Sequence, residues 1–230
     1  MRLLVTRPPP DGERSAEALR RRGHQVMVSP MLRIQLTEFV VPNIPYRAVV
    51  LTSSNAARAV AQHRERARLT ALPVYTVGER SAASARAAGF ADVVSAGGDR
   101  DDLVRLLRSR CAGSSEALLY LAGEEQAGEL AACGSPVELV LAYRALKADR
   151  LPKRIAAAIS TLEGVLHFSR RSAEAYLECT AAAEMLEAAL APRHFCLAPA
   201  VAQPLVAAGA AAVHIAPRPN EAALIELVAS

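Results

Sequence analysis

In this 230-residue chain, small hydroxyl, amide and glycine residues recur wherever an apolar, β-branched run gives way to a helical one. These junctions are Thr6–Arg7–Pro8, Thr52–Ser53–Ser54–Asn55, Gly78–Glu79–Arg80–Ser81 and Ala122–Gly123 in the first part of the chain. Ser169–Arg170–Arg171–Ser172, Ala198–Pro199–Ala200–Val201 and Pro217–Arg218–Pro219–Asn220 follow in the last third. A helix that starts at such a junction presents unpaired N–H groups and the positive end of its dipole, which suit an anion. Small residues also let a ligand approach the backbone closely. Ser53 or Ser54, Ser81, Ser172, Asp99 and Asn220 are equally ordinary helix N-caps by type and position, so both roles stay open for each. Gly89 and Gly209 are expected to end helices and to have no ligand role.

Other chemistries find little support. There is no G-x-x-x-x-G-K-[ST] loop, no G-x-G-x-x-G after the first strand and no G-x-S-x-G elbow. The five histidines (24, 63, 167, 194, 214) are scattered, and His24, His194 and His214 sit beside expected strand starts, where structural roles are favoured. Glu124 and Glu125 follow a strand end as candidate acids, although exposed loop carboxylates explain them as well. Cys111, Cys133, Cys179 and Cys196 lack C-x-x-C or metal-ligand spacing and read as buried thiols, so no metal site is expected. Of 27 basic residues only Lys147 and Lys153 are lysine, leaving 25 arginines. Arginine grips carboxylates through a planar fork, but a preference for Arg on solvated helix faces accounts for most of them. No basic stripe interleaves with aromatics, so nucleic acid is not expected as a partner.

The elements that must position these junctions alternate along the chain. Apolar runs at 3–7, 25–30, 48–52, 74–77, 92–95, 117–121, 137–143, 165–169, 194–197 and 213–216 read as strands. Segments between them carry apolar residues at helical spacing. The alternation predicts an α/β fold with parallel sheets.

A repeat lies within it. VVLTSSNAARA (49–59) matches GVLHFSRRSAEA (164–175), VYTVGERSAASARAAGFADV (74–93) matches HFCLAPAVAQPLVAAGAAAV (194–213), and GGDRDDLVRLL (97–107) matches RPNEAALIELV (218–228). Ser53 thus falls opposite Ser169, Gly89 opposite Gly209 and Asp99 opposite Asn220. The continuation at 118–144 finds its counterpart only at the N-terminus, at 3–33, with Gly134 opposite Gly23 and Arg144 opposite Arg33. Two five-stranded domains are therefore expected. One is continuous over 40–143, and the other is assembled from 1–34 and 149–230. Linkers at 35–39 and 144–148 carry the chain between them.

In order and spacing, T-R-P near the N-terminus, L-T-S-S-N-A, V-G-x-x-S-A…A-G-F, A-Y-R, F-S-x-x-S-A and a closing A-P-x-x-A…G…A-P-x-P block resemble the uroporphyrinogen-III synthase family. The resemblance covers nearly the whole chain. It implies two flavodoxin-like domains joined by a two-strand linker, with hydroxymethylbilane, an octacarboxylate, held in the cleft between them. It implies cyclisation to uroporphyrinogen III with loss of water and inversion of ring D, as a cyclising hydro-lyase of haem biosynthesis. The scheme runs through an azafulvene cation and a spiro intermediate. The pyrroles supply the electrons, so the scheme needs no cofactor, and the protein works by positioning and electrostatics.

Carried over residue by residue, Tyr143 matches the family's candidate proton donor to the departing hydroxyl, and Ser81 matches a cleft threonine. Ser53, Asn55, Ser169 and Ser172 match two T-S-x-x-A-type turns, and Arg7 matches the T-R-P turn. Thr6, Gly78, Gly123, Arg170, Arg171, Ala198 and Val201 complete the expected substrate contacts. Ala198 and Val201 depart from a turn that commonly reads G-P-x-T, and Arg170 and Arg171 add charge where Pro is frequent.

A non-catalytic tetrapyrrole- or polyanion-binding protein of the same shape is the alternative. No apolar run reaches the ~18 residues of a membrane span, and the N-terminal MRLLVTRPPP is charged and breaks at Pro8–Pro10. A cytoplasmic monomer is expected, with no membrane partner and transient contact with hydroxymethylbilane synthase.

Overall fold

The computed structural model describes residues 1–124, 130 and 133–229. It divides into two compact units, one of Met1–Arg33 with Leu146–Ser230 and one of Ile34–Ala145. Both are α/β units with parallel strands.

The first unit is built on β1 (Arg2–Val5), β2 (Gln25–Val28), β9 (Gly164–His167), β10 (Arg193–Cys196) and β11 (Ala212–Ile215), in the order β11-β10-β9-β1-β2. Leu3 and Val5 face one side, in a core with Ala16, Leu19, Phe195 and Leu224. Leu4 and Val165 face the other, with Ile155 and Tyr176. Burial on both sides explains why these strands read as continuous apolar runs. Helices α1 (Asp11–Arg20) and α10 (Glu221–Ala229) contribute to the first face, and α7 (Arg170–Ala182) and α8 (Leu186–Leu190) to the second. Helix α9 (Pro199–Ala207) packs on α7 through Val201, Ala202 and Leu205.

The second unit carries β3 (Leu32–Leu36), β4 (Tyr46–Leu51), β5 (Val74–Thr76), β6 (Val93–Ser95), β7 (Ala117–Gly123) and β8 (Val137–Lys147), in the order β3-β8-β7-β4-β5-β6. Val49 and Leu51 join a core with α2 (Ser54–Gln62) and α4 (Glu79–Ala88), and Ala48 and Val50 join one with α5 (Arg100–Cys111). Helix α3 (Arg66–Thr70) is a short connector in this unit, as is α6 (Lys153–Ala156) in the first.

All ten expected strands are present, and an eleventh is added. The added strand, β3, runs into the first expected linker at Gln35 and Leu36, where the family resemblance implies a linker strand, and with it this sheet has six strands. The alternation Leu32-Arg33-Ile34-Gln35-Leu36 is that of a half-buried strand. Thr37 fixes it to β8, its N–H donating to the Ala142 carbonyl at 3.1 Å and its hydroxyl to Leu141 at 2.7 Å. Strand β8 likewise continues through the second expected linker as far as Lys147.

The internal repeat survives in backbone geometry. Gly23 and Gly134 have φ of 85° and 81°, and Gly89 and Gly209 have 107° and 86°. A left-handed residue is what glycine supplies without strain, and Gly89 and Gly209 do so just after α4 and α9. Counted from β7, the second sheet without β3 reads β7, β8, β4, β5, β6, and its spatial order matches that of β1, β2, β9, β10, β11.

Candidate active site

At the carboxyl ends of β4 and β7 a polar cluster gathers around Tyr143 of β8. Ser53 is the N-cap of α2, its hydroxyl accepting from the Asn55 N–H at 3.1 Å. The Tyr143 hydroxyl bonds to the side chains of Ser53 and Asn55, and Asn55 Oδ1 also accepts from Arg58. Thr52, the residue before the cap, pairs its hydroxyl with that of Tyr120 at 3.1 Å. Burial raises the Tyr143 phenol above its ordinary pKa; the bonds from Ser53 and Asn55 pull it down and nearby Tyr120 adds to the rise. The net effect is a phenol held protonated, as a proton donor requires.

Two further junctions leave helix starts without a side-chain cap. These are Gly78 before α4 and Ala198 before α9, which occupy equivalent places in the repeat. A Cβ at Gly78 would meet nothing nearer than the Gly98 carbonyl at 3.9 Å, so neither space nor its extended backbone demands glycine.

Three expected contacts, Ser81, Ser172 and Val201, fall at the third position of their helices and are buried. The Ser172 hydroxyl donates to the Ser169 carbonyl at 2.8 Å, and its N–H donates to the Ser169 hydroxyl at 3.2 Å. Val201 packs on Ala173, Cys196 and Leu205, so its side chain belongs to the core. That phase of the helix faces the sheet, which residue type alone does not reveal.

In the first unit, charge replaces the hydroxyl cluster. Arg7 pairs with Asp11 at 3.2 Å and Glu221 at 3.3 Å, and lies over the Phe168 ring at 4.7 Å. Arg14 bridges the same two carboxylates at 3.0 and 2.9 Å. Burial alone would raise Glu221, but the Ser15 hydroxyl at 2.5 Å and the two arginines bring its pKa below the usual value. Arg7 is thus engaged within its own unit. Thr6 is fully buried, its hydroxyl donating to the Leu166 carbonyl at 2.8 Å. Arg170 is exposed and paired with Glu174 at 2.9 Å, and Arg171 follows it on α7. Glu124 is exposed, and Glu125 lies outside the described residues.

The uroporphyrinogen-III synthase HemD family model matches residues 13–226. The chain belongs to the uroporphyrinogen-III synthase family. Its function is therefore uroporphyrinogen-III synthesis, in haem biosynthesis. The fold is similar to that of the uroporphyrinogen-III synthetase of Helicobacter pylori 26695, at 18% identity over 100% of this chain and 99% of that one, with a TM-score of 0.68. It is also similar to a mutant uroporphyrinogen III synthase of the extremely thermophilic bacterium Thermus thermophilus, at 14% identity over 100% and 96%, with a TM-score of 0.54. No curated protein matches the chain.

In this member of the uroporphyrinogen-III synthase family, sequence reasoning passed over Tyr120 and Glu221, and named Thr52 in its junction without a partner. Tyr120 looks like one more core residue in LLYLAG, and only the neighbouring strand brings Thr52 to it. Glu221 lies more than 200 residues from Arg7, and only the β1–β9–β10–β11 order brings α10 to α1. His167 and His194 form a buried pair, Nε2 to Nδ1 at 3.1 Å, beside Tyr176. Burial pushes His167 well below its ordinary pKa and His194 down to about 4, so both rings are neutral at neutral pH. Among the described residues no three His, Cys, Asp or Glu side chains are grouped to hold a metal ion, and no helix is long and apolar enough to cross a membrane.

Proposed function

We propose that this chain acts as a cyclising hydro-lyase on hydroxymethylbilane, with Tyr143 donating the proton that lets the terminal hydroxyl leave as water. The observation that carries this reading is the placement of the buried Tyr143 phenol beside Ser53 and Asn55, at the junction between β4 and α2. Loss of water leaves an azafulvene cation. The substituted carbon of ring D attacks it, and the resulting spiro intermediate opens and recloses with ring D inverted. The electrons come from the pyrroles, so the protein has to fold the chain and stabilise charge.

The substrate's carboxylates are proposed to meet the starts of α4 and α9, at Gly78 and Ala198, where no side chain caps the helix and its dipole favours an anion. Ser53, Asn55, Ser169 and the exposed Arg170 supply further donors. Thr6, Ser81, Ser172 and Val201 support these turns from within. The two units correspond, in this reading, to flavodoxin-like domains of 1–34 plus 149–230 and of 40–143, with crossings at 35–39 and 144–148. A cytoplasmic monomer that receives its substrate through transient contact with hydroxymethylbilane synthase completes the proposal.

A coupled assay tests it. Porphobilinogen and hydroxymethylbilane synthase supply the bilane, and the oxidised products are separated by isomer. Without a synthase the bilane closes to the type I isomer. Addition of this protein is expected to shift the product to type III. Type I alone from folded protein would exclude catalysis and leave a tetrapyrrole-binding role.

A further inference from the structure

Strand β8 should send alternate side chains to opposite faces of its sheet. Leu139 and Leu141 point outward, each 42% exposed, and Val140 and Ala142 point into the core. Tyr143 breaks the alternation. It follows Ala142 directly, yet it is only 4% exposed and packs in the same core. The register explains this: Ala122 pairs with Leu141 and Gly123 with Tyr143, leaving Ala142 without a partner on β7. That is a β-bulge, a device that re-aims one side chain.

The residue facing the re-aimed tyrosine is a glycine. A Cβ at position 123 would lie 2.5 Å from Tyr143 Cζ, 2.6 Å from Cε2 and 2.9 Å from the hydroxyl oxygen. Backbone conformation does not demand glycine there, because Gly123 is not among the residues of positive φ. Space is the remaining requirement, and the Tyr143 ring fills it.

We propose that Gly123 is a positioning residue for the reaction: with the bulge at Ala142 it forms the seat that aims the Tyr143 hydroxyl at Ser53 and Asn55. The inference rests on the reading of Tyr143 as proton donor and deepens it. Gly123 then has no contact with substrate of its own and acts through the phenol. A methyl group at this position displaces the ring and takes the hydroxyl away from both partners. On the opposite face of the same turn Tyr120 holds Thr52, so the β4–α2 turn itself stays in place when the ring moves.

The experiment compares Gly123→Ala, Tyr143→Phe and the double variant by type III formation. Gly123→Ala is expected to lower kcat by a factor similar to that of Tyr143→Phe, with KM within about twofold of the parent. In the Tyr143→Phe background it should change kcat by less than about twofold, the non-additivity of two residues acting through one group. With 13Cζ-labelled tyrosine, the resonance that Tyr143→Phe removes should move in Gly123→Ala. An unchanged kcat in Tyr143→Phe would sink the donor reading and, with it, this inference. A lowered kcat there, beside an unchanged Gly123→Ala or independent losses in the double variant, would overturn the seat alone. Should Gly123→Ala not fold, Gly123→Ala/Tyr143→Ala is compared with Tyr143→Ala. Equal melting temperatures support the seat, and a lower one in the double variant overturns it.

Discussion

The turn after β4 and the turn after β9 descend from the same repeat unit but are built for different purposes. Ser53 caps its helix and meets Tyr143, with Tyr120 and Thr52 bonded beneath. Its counterpart Ser169 closes on itself in a capping box with Ser172. In the aligned register Tyr120 corresponds to Val5, Thr52 to Phe168 and Tyr143 to Leu32. The first unit therefore has no phenol in this place, and Arg7 stacks on Phe168 within an ion cluster instead. One backbone plan thus carries a buried phenol with its hydroxyl and amide neighbours in one copy and an ion cluster in the other. Deeper in the sheet the contrast reverses: His167 and His194 stand where the second unit has Leu51 and Val74, both fully buried.

That buried pair gives the largest expected effect. Both rings take up a proton in the unfolded chain near pH 6.5 but stay neutral in the folded one. Stability is therefore complete above pH 6.5 and falls below it, by about 1.4 kcal/mol per histidine per pH unit until the folded pKa is reached. Replacing the pair with the other unit's residues, His167→Leu with His194→Val, should flatten this decline in denaturant melts between pH 7 and 5. An unaltered slope would mean that the two units do not differ in this respect.

Next in size is Arg7→Met. It removes one of the two arginines that Asp11 and Glu221 share and should cost about 2 kcal/mol, less than the ~3–5 kcal/mol of a fully buried broken pair. A similar loss of substrate affinity without destabilisation would instead make Arg7 a ligand group. Tyr143→Phe should lower kcat several-fold with stability little changed, and complete loss in a folded variant would contradict catalysis by positioning. The smallest effect on the fold is expected of Arg170→Ala with Arg171→Ala, whose stability should stay within about 1 kcal/mol of the parent. There the readout is KM, which should rise; an unchanged KM removes both from substrate binding.

Much of this was legible because strands and turns are local features. The apolar runs mark ten strands, and the repeat alone links Ser53 with Ser169 and Gly89 with Gly209. Strand β3 is absent from the ten apolar runs although Leu32, Ile34 and Leu36 alternate with polar residues, because the repeat leaves no place for a sixth strand; only the two-strand linker implied by the family resemblance made room for it. Within the site, residue type identified the turns but not the direction of the side chains. Ser81, Ser172 and Val201 share one helical phase and turn inward, and Tyr143 turns inward because of a bulge that no spacing announces. Partners distant in the chain, such as Arg7 and Glu221, are brought together only by strand order.

Strand β1 lies between β2 and β9, and Thr6 bonds to Leu166, 160 residues further along the chain. During synthesis at ~5–20 residues per second, the N-terminal strands therefore wait on the order of ten seconds for the neighbour that completes their sheet. All of Ile34–Ala145 leaves the ribosome within that interval. The continuous unit is thus free to fold first, while Leu3, Leu4 and Val5 remain an apolar strand with one open edge, the kind of surface that holding chaperones shield and that aggregation exploits.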